Sequence, residues 1–426
     1  MLKREDNELI TRVGPGTPMG ATLRRYWMPA LLSSEVSHPD SDPVRVRILG
    51  ENLIAFRDTN GSVGLIQNNC PHRGASLFFG RNEEAGIRCV YHGWKFDVTG
   101  QCVDMPNEPT LKRGAPAESD FKHKVRAVAY PTAEKAGVVW TYLGPREKQP
   151  PVPDLEWMRA PAGQCWISKT FENCNYLQAM EGGLDTSHSS FLHRDLTAEG
   201  LANPRARSTA PRLEILNTDY GYMYASIRHL PEDKQNFVRV YHYVMPFYQL
   251  RAGGSPRTLG NTDGHMWVPS DDTSCWTYNF HFSHDKPQAY AEWQYYEHRM
   301  GRGLAEDFIP GTFKLKANAS NDYGLSRERQ RTVNYTGIEG TNTQDFAVQE
   351  SMGPIYDRTQ EHLGSADTAI IQMRRLLLEA VRDVAEGRDP VGSQGQGSSV
   401  RPAQMYLPDN ARWSETQLKD ALVAQY

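Results

Sequence analysis

The spacing of apolar residues divides the chain into strand-rich and helical stretches. Residues 44–48 alternate between Val or Ile and Arg, and this period of two is typical of a half-buried β-strand. Turn residues at 50–52 and 60–61 separate the next apolar runs, which predicts a series of β-hairpins. Further apolar runs rich in aromatic and β-branched residues follow between residues 165 and 282 and predict a second, larger antiparallel sheet.

Helical periodicity appears near both ends of the chain. Residues 7–30 contain two short helical patterns separated by Gly14-Pro15-Gly16. From Asp367 to Glu386, apolar residues recur every three or four positions, which predicts an amphipathic helix. Residues 391–404 are rich in Gly, Ser and Gln, and this composition predicts a mobile linker.

Length and turn residues predict the domain organisation. A chain of 426 residues is long for one hydrophobic core, and a Pro-rich linker follows Gly144-Pro145. We therefore expect an α+β fold with a small antiparallel-β domain and a larger domain in which helices cover an antiparallel sheet. The predicted divisions are an N-terminal helical segment over 1–39, the small domain over 40–150, the larger domain over 151–390, and a flexible linker and C-terminal tail over 391–426.

Charge and hydropathy exclude several classes of partner. The 47 basic and 51 acidic residues nearly balance, which indicates neither nucleic acid nor a membrane surface as a partner. No apolar run approaches the ~18–20 residues that a spanning helix needs, and no signal peptide is apparent. The six cysteines are scattered, which is typical of a reducing cytoplasm rather than a disulfide framework.

The first candidate for chemistry is the stretch from Glu181 to His193. It contains Glu181, Asp185, His188 and His193 and no other charge, and two imidazoles with one carboxylate form the facial ligand set of Fe(II) in oxygenases. On a helix, Glu181, Asp185 and His188 share one face. His193 fits only if the helix widens locally or if it lies just past the helix end. The alternative is a solvated polar helix with two incidental histidines.

The second candidate pairs Cys70 and His72 with Cys89 and His92, separated by sixteen residues. Two Cys and two His can hold a structural zinc ion, but in such sites the two Cys usually lie close together in sequence, and so do the two His. The mixed order favours a [2Fe–2S] cluster with two Cys on one iron and two His on the other. Both interpretations remain open on the motif alone.

Together the two motifs resemble a known family. Cys-x-His…Cys-x-x-His followed by Asp-x-x-His-x-x-x-x-His is similar to the oxygenase component of Rieske non-haem iron oxygenases. The segments 7–20 and 344–355 resemble the phthalate-dioxygenase-like group, and the resemblance extends from about Asn7 to about Pro390.

The resemblance implies cofactors and ligands. Residues 40–150 would be a Rieske domain whose [2Fe–2S] cluster is bound by Cys70, His72, Cys89 and His92. Residues 151–390 would be the catalytic domain, with one mononuclear Fe(II) bound by His188, His193 and Asp345. The resemblance places Asp185 between a ligand histidine and a cluster histidine of the neighbouring subunit. Asp185 and Glu181 are the predicted catalytic residues. Glu181, four residues before Asp185, is expected to lie behind it, with a position on the helix surface as the alternative.

The resemblance also implies an activity. We expect the terminal oxygenase of a ring-hydroxylating dioxygenase, which uses O2 to cis-dihydroxylate an aromatic carboxylate such as a phthalate or a substituted benzoate. The chain has no Gly-x-Gly-x-x-Gly nucleotide motif, so we expect a separate NAD(P)H-dependent reductase. The expected assembly is a homotrimer or a stacked pair of trimers. A monooxygenase or O-demethylase, and an electron-transfer Rieske protein, remain as alternatives.

An aromatic carboxylate in an apolar pocket needs a cation, and the planar guanidinium of Arg suits it best. Arg239 lies in the aromatic-rich segment 237–248, and Arg207 closely follows the histidine motif. Both are predicted substrate residues, with a solvent-facing position as the alternative for each.

Overall fold

The computed structural model describes residues 2–108, 121–253, 260–302 and 306–426. These residues form two compact units. The cluster unit is continuous and comprises Arg24–Val152, whereas the iron unit combines Met1–Leu23 with Pro153–Tyr426. Part of the predicted Rieske range, residues 109–120, lies outside the described residues.

The cluster unit consists of short antiparallel strands. Its strands are β1 (Trp27–Leu32), β2 (Val44–Ile48), β3 (Glu51–Arg57), β4 (Val63–Gln67), β5 (Arg81–Glu83), β6 (Gly86–Arg88), β7 (Lys95–Phe96), β8 (Cys102–Asp104), β9 (Ala129–Tyr130), β10 (Thr132–Lys135) and β11 (Val138–Tyr142). They form the sheets β1-β11-β10, β2-β3-β4-β9 and β5-β6-β7-β8. The hairpins predicted from period-two alternation are confirmed, because β2, β3 and β4 pair in sequence.

The core of the cluster unit determines where the two ligand loops lie. Ile54, Phe56, Ile66, Ile87 and Phe96 are fully buried, and the thiols of both motif cysteines join the same apolar cluster. The β4–β5 and β6–β7 connections carry the two motifs. Short strands on a packed core therefore hold both loops rigidly.

The iron unit contains one large sheet and most of the helices. Its helices are α1 (Arg4–Thr11), α2 (Pro18–Leu23), α3 (Tyr176–Leu184), α4 (Ala198–Ala202), α5 (Pro204–Arg207), α6 (Tyr290–Met300), α7 (Arg327–Thr332), α8 (Thr341–Ser351) and α9 (Thr368–Ala385). Its strands are β12 (Cys165–Glu172), β13 (Arg212–Thr218), β14 (Gly221–Leu230), β15 (Gln235–Val244), β16 (Tyr248–Gly253), β17 (Asn261–Asp271), β18 (Ser274–Ser283) and β19 (Ala403–Pro408).

The large sheet is antiparallel, as predicted, and runs in the order β12-β18-β17-β16-β15-β14-β13. Strand β15 pairs with β14 along its whole length. On its other edge it pairs with β16 near Val244 and with β19 nearer its start. Helices α3 and α8 pack on each other, and α3 also packs on β17 and β18. This arrangement places the candidate iron ligands, two histidines and one carboxylate, against the centre of the sheet.

Two of the predicted divisions differ from the structure. The segment 1–39 does not form a separate helical piece, because α1 and α2 pack on α9 while β1 pairs with β11 of the cluster unit. The sequence predicts a flexible linker and tail over 391–426, but Ala403–Pro408 adds a strand to the large sheet. Its alternating buried side chains join a core with Val238, Val240 and Trp413, and this burial outweighs the Gly/Ser-rich composition that precedes it.

Candidate active site

Helix α3 ends earlier than the sequence predicts, and its end shapes the site. Asn175 caps the start by accepting a hydrogen bond from the Leu177 N–H at 3.1 Å. Asp185 is already extended, and its carboxylate accepts hydrogen bonds from the backbone N–H groups of Ser187 at 2.8 Å and His188 at 2.9 Å. Such side-chain bonds to the following backbone compete with the helix. The predicted shared helix face of Glu181, Asp185 and His188 is therefore wrong.

The structure brings His188, His193 and Asp345 together although α8 lies far along the chain. His193 lies beyond the helix end, which is one of the two arrangements considered above. The Nε2 atoms of the two imidazoles are 3.1 Å apart, and the Asp345 Oδ1 atom is 3.2 Å from the His193 Nε2 and 3.8 Å from the His188 Nε2. Ligands bound ~2.1 Å from one ion at right angles are separated by ~3 Å, so this spacing fits a facial metal site.

The hydrogen bonds of the outer ring nitrogens support the same conclusion. The Nδ1 of His188 lies 3.2 Å from Asp185 Oδ2, and the Nδ1 of His193 lies 2.8 Å from Gln344 Oε1. Both acceptors require an N–H at Nδ1, so both neutral rings direct an Nε2 lone pair at the same point. Two lone pairs and a carboxylate oxygen repel one another unless a cation lies between them. These residues therefore fit a divalent iron ion.

Burial opposes ionisation of Asp185, but hydrogen bonds from His188 and Ser187 lower its pKa to about 2. Burial also opposes ionisation of Asp345, and the adjacent His193 and His188 lower its pKa. Both groups are therefore carboxylates at neutral pH, as the proposed roles require.

Glu181 does not lie in the cavity, and the prediction of a catalytic role is corrected. Its carboxylate accepts hydrogen bonds from Arg358 Nη2 at 2.8 Å and from Arg374 Nε at 2.6 Å. Arg358 is fully buried, and its Nη1 also donates to Asn7 Oδ1 of α1 at 3.1 Å. Glu181 thus joins α3 to α1 and α9 as the acceptor of a buried ion-pair network.

The two cluster loops have matching local geometry. In each loop a glycine four residues after the cysteine donates its N–H to the cysteine carbonyl at 2.9 Å, as Gly74 does to Cys70 and Gly93 to Cys89. Both glycines have positive φ, +76° and +79°, which favours Gly at these positions. The imidazoles that follow, His72 and His92, meet edge to face with ring centroids 4.5 Å apart. The structure therefore brings the two imidazoles into contact and the two thiols close together.

The surroundings of these four residues fit an iron–sulfur cluster. Burial raises the pKa of the Cys70 thiol to about 11, and the nearby Cys89 adds to the shift, so the thiolate form requires a positive centre such as iron. His72 stacks on Trp94 with centroids 4.2 Å apart, and its buried Nδ1 has no hydrogen-bond partner. An orphaned ring nitrogen beside two buried thiols is suited to ligate a metal.

The iron ligands open into a cavity of about 290 Å³ in the iron unit. Its wall includes three arginines: Arg205 of α5, Arg239 of β15 and Arg251 of β16. Burial, followed by repulsion from Arg239, lowers the pKa of Arg205 to about 10. Among the described residues none of the three forms an ion pair with a carboxylate, and the buried Nε of Arg239 has no hydrogen-bond partner. Asp263 also lines the cavity, lies opposite Arg251 on the neighbouring strand and attracts its charge. Arg205 and Arg239 therefore remain as the two cavity arginines without a nearby carboxylate partner among the described residues.

The two predicted substrate arginines differ in position. Arg239 lines the cavity, whereas Arg207 lies at the surface and pairs with Asp233 at 2.6 Å and Glu232 at 3.4 Å. The prediction for Arg207 is corrected, because the short helix α5 directs residue 205, not 207, into the cavity. The sequence analysis does not predict three further site residues, Gln344, Arg205 and Arg251. A sequence signal exists only for Gln344, which is adjacent to the predicted ligand Asp345.

Comparison with known proteins identifies the class of protein. Residues 26–115 match the Rieske [2Fe-2S] domain family, and residues 141–424 match the family described as LigXa C-terminal domain like. The phthalate 4,5-dioxygenase oxygenase subunit of Pseudomonas putida is 36% identical, covering 98% of this chain and 95% of that protein. The 3-chlorobenzoate-3,4-dioxygenase oxygenase subunit of Comamonas testosteroni is also 36% identical, covering 97% of each. The solved structure of the Pseudomonas putida CBB5 NdmA QL mutant with caffeine shares the fold, with a TM-score of 0.62, 18% identity and 91% and 98% of the two chains covered.

The chain belongs to the Rieske non-haem iron oxygenases, within the phthalate-dioxygenase-like oxygenase subunits. This membership confirms the predicted fold class, the oxidoreductase activity and the two cofactors, a Rieske [2Fe–2S] cluster and a mononuclear iron. It rules out a simple electron-transfer Rieske protein. In the described ranges no helix combines the length and the apolar character that crossing a membrane would require.

Proposed function

We propose that this oxygenase subunit cis-dihydroxylates an aromatic carboxylate, such as a phthalate or a substituted benzoate. The observation that carries the proposal is the pair of cavity arginines, Arg205 and Arg239, which form no ion pair with a carboxylate among the described residues. A half-buried cation without a counter-ion is unfavourable, and a substrate carboxylate would supply that counter-ion. The phthalate and chlorobenzoate relatives support this substrate class.

In this proposal His188, His193 and Asp345 bind Fe(II), and Cys70, Cys89, His72 and His92 bind the cluster. When bound, the metals supply single electrons and open coordination positions for O2. The residues of the chain hold the imidazoles in one tautomer, orient the substrate and exclude water. A bidentate bond from an arginine to the substrate carboxylate would fix which ring carbons lie next to the ligand set.

Asp185 is proposed to couple the two metal sites across a subunit interface. Its Oδ2 already accepts from His188, and a carboxylate has room for a further donor. We infer that this donor is His92 of a neighbouring copy in a closed ring of three, which rotational symmetry permits, and that two rings can stack. A separate NAD(P)H-dependent reductase would supply the electrons, and the cytoplasm is the proposed location because of the scattered free cysteines.

Product analysis tests the proposed reaction. The purified protein, with an added reductase and NADH, is supplied with a panel of benzoates, phthalates and uncharged aromatic ethers. We expect cis-diols from the aromatic acids, and an O-demethylated product alone would instead support the monooxygenase alternative.

Substitution of the cavity arginines tests the substrate class. Arg239→Met and Arg205→Met should each raise KM for a carboxylated substrate, because an unpaired carboxylate typically costs ~2–5 kcal/mol. Arg207→Met is the matched control and should leave KM nearly unchanged, since exposed ion pairs contribute ~0–1 kcal/mol. Unchanged KM in both cavity variants would contradict carboxylate binding by these arginines.

A further inference from the structure

A buried acid lies directly behind the wall of the iron cavity. Glu172, the last residue of β12, is fully buried, and its Oε2 is 3.0 Å from the hydroxyl oxygen of Thr277. Thr277 lies opposite Trp267 on the neighbouring strand, and both residues line the cavity. A single hydroxyl group therefore stands between this acid and the cavity.

The neighbours of Glu172 favour its protonated form. The Cys174 thiol donates to Oε1 at 3.3 Å, and the Cys275 sulfur lies 4.0 Å from Oε2. No cation among the described residues pairs with it, and the charged group outside the iron site that acts on it, Glu350, is acidic. Burial, and then repulsion from Glu350, raise the pKa of Glu172 to about 8. At neutral pH it therefore holds a proton.

The hydrogen-bond roles follow from that proton. A neutral carboxyl group has one O–H donor and an acceptor oxygen. Oε1 accepts from Cys174 and Oε2 accepts from the Thr277 hydroxyl. A proton on Oε2 reverses the second bond, so that the carboxyl O–H donates to the Thr277 oxygen. The hydroxyl hydrogen of Thr277 is then free to point into the cavity. We propose that Glu172 and Thr277 form a proton-delivery pair, in which Glu172 stores a proton and Thr277 passes it to the cavity.

The proposal rests on the proposed oxygenase function, whose chemistry consumes protons. Two-electron reduction of O2 with hydroxylation takes up two protons, whether both oxygen atoms enter the substrate or one leaves as water. Thr277 gives its O–H proton to reduced oxygen in the cavity as its oxygen accepts the proton of Glu172, which leaves a carboxylate at Glu172. The half-buried Glu350 of α8 accepts hydrogen bonds from the backbone N–H of Asn173, the residue after Glu172, and from the Tyr323 hydroxyl. In the proposal, reprotonation of Glu172 from solvent passes on this side.

An infrared titration of the resting holoenzyme tests the stored proton without turnover. The wild-type protein at pH 7 should show the C=O stretch of a buried protonated carboxyl group, and Glu172→Gln should lack it. Identical carboxyl bands in both proteins would overturn the proposal. Because no substrate is needed, this result is independent of whether an aromatic carboxylate is the right substrate.

Single-turnover kinetics test the transfer. In Glu172→Gln and Thr277→Val, we expect reoxidation of the cluster with substrate and O2 to be at least tenfold slower. The solvent deuterium isotope effect on this rate should be larger. Iron content and substrate affinity should be unchanged. Thr277→Ser keeps the hydroxyl and should restore both the rate and the isotope effect. If Glu172→Gln does not fold, the comparison of Thr277→Val with Thr277→Ser is sufficient to test the proton transfer. Wild-type rates and isotope effects in Thr277→Val would overturn the proposal, whereas a wild-type protein inactive on all aromatic acids would contradict the proposed substrate instead.

Discussion

The two metal sites of this chain are built in different ways. The candidate cluster ligands lie between Cys70 and His92 in two loops with the same Gly-closed geometry. The candidate iron ligands come from the segment that follows α3 and from α8, and they meet only because both helices pack together and α3 packs on the sheet. The first site depends mainly on local backbone structure and the second on the packing of the whole unit.

The sites also differ in how their histidines are supported. His72 and His92 contact aromatic rings, with Trp94 stacked on His72 and Tyr91 beside His92. His188 and His193 instead have hydrogen-bond acceptors at Nδ1, Asp185 and Gln344. A ring held by a hydrogen bond has a fixed tautomer, so the iron site is more sensitive to single polar substitutions.

The largest expected effect separates the two sites. Asp345→Ala should abolish activity and lower iron from about three to about two atoms per chain, with the visible absorption of the cluster retained. Cys89→Ser should remove the cluster absorption and leave about one iron atom per chain. Iron quantitation with visible spectroscopy measures both. Full iron and turnover in Asp345→Ala would remove this residue from the ligand set.

The coupling of the sites is tested next. Asp185→Asn keeps the shape of the side chain, so metal contents and folding should be preserved. Reoxidation of the reduced cluster with substrate and O2 should nevertheless be abolished or greatly slowed, because the carboxylate between the sites is lost. Stopped-flow absorbance of the cluster measures the rate. A normal rate, or full activity of a dilute monomer, would exclude a route through Asp185 across an interface.

A large stability effect is expected at Glu181. Glu181→Gln leaves the buried Arg358 and Arg374 without this carboxylate, and breaking such a pair typically costs ~3–5 kcal/mol. Glu8→Gln, at an exposed pair with Arg12, is the control and should cost ~0–1 kcal/mol. Urea unfolding of the iron unit measures both, and a similar small loss in the two variants would contradict the network.

Glu181 should also make the stability of the protein depend on pH. Burial opposes ionisation of Glu181, but Arg358 and Arg374 lower its pKa below the ordinary value. Its contribution to stability is therefore fully present above the unfolded pKa of ~4.3 and is lost as the pH falls through the lower folded pKa. Glu181→Gln should lack this part of the acid dependence.

A smaller effect is expected at Gln344, which holds His193. Gln344→Leu removes the acceptor for Nδ1 and should weaken Fe(II) binding by ~10–100-fold. Added Fe(II) should restore much of the activity, and Gln360→Leu at the surface is the control. Equal Fe(II) affinity in both variants, measured by metal titration, would show that Gln344 does not orient the ring.

The smallest effects compare two glycines. A Cβ at Gly183 of α3 would lie 2.0 Å from the Trp267 ring, whereas a Cβ at Gly74 would meet nothing within 4 Å. Gly183→Ala should therefore cost ~1–3 kcal/mol by overpacking and also lower iron content. Gly74→Ala should cost only the ~1–2 kcal/mol of a left-handed backbone. Thermal unfolding measures both, and the reverse order would contradict the contrast between the two sites.

Local structure could be predicted from the sequence, and long-range placement could not. The spacing of Cys70 and His72 and of Cys89 and His92 is enough to predict two ligand loops. The alternation of apolar and polar residues over 44–48 is enough to predict a strand. The helix expected over 367–386 is observed as Thr368–Ala385 because its apolar stripe has helical spacing. Asp345 was found by resemblance to a family and not by periodicity.

The errors have physical causes. The helix predicted through Asp185 stops because that side chain bonds to the next backbone N–H groups, a competition that periodicity does not report. The prediction of Arg207 as a substrate residue is wrong because Arg205 and Arg207 are only two residues apart. Which of the two faces the cavity depends on the orientation of helix α5. The tail was expected to be flexible because composition does not show that the edge of β15 is available to β19.

The order of the units along the chain has a consequence for synthesis on the ribosome. Helices α1 and α2 are translated before the cluster unit, but their packing partner α9 is translated only after the whole cluster unit and most of the iron unit. The cluster unit is continuous, so it can fold while the rest is being made, and domains generally fold as units during synthesis. We therefore expect nascent chains that stop before residue 368 to hold a protease-resistant cluster unit, with the α1–α2 segment that precedes it still sensitive to protease.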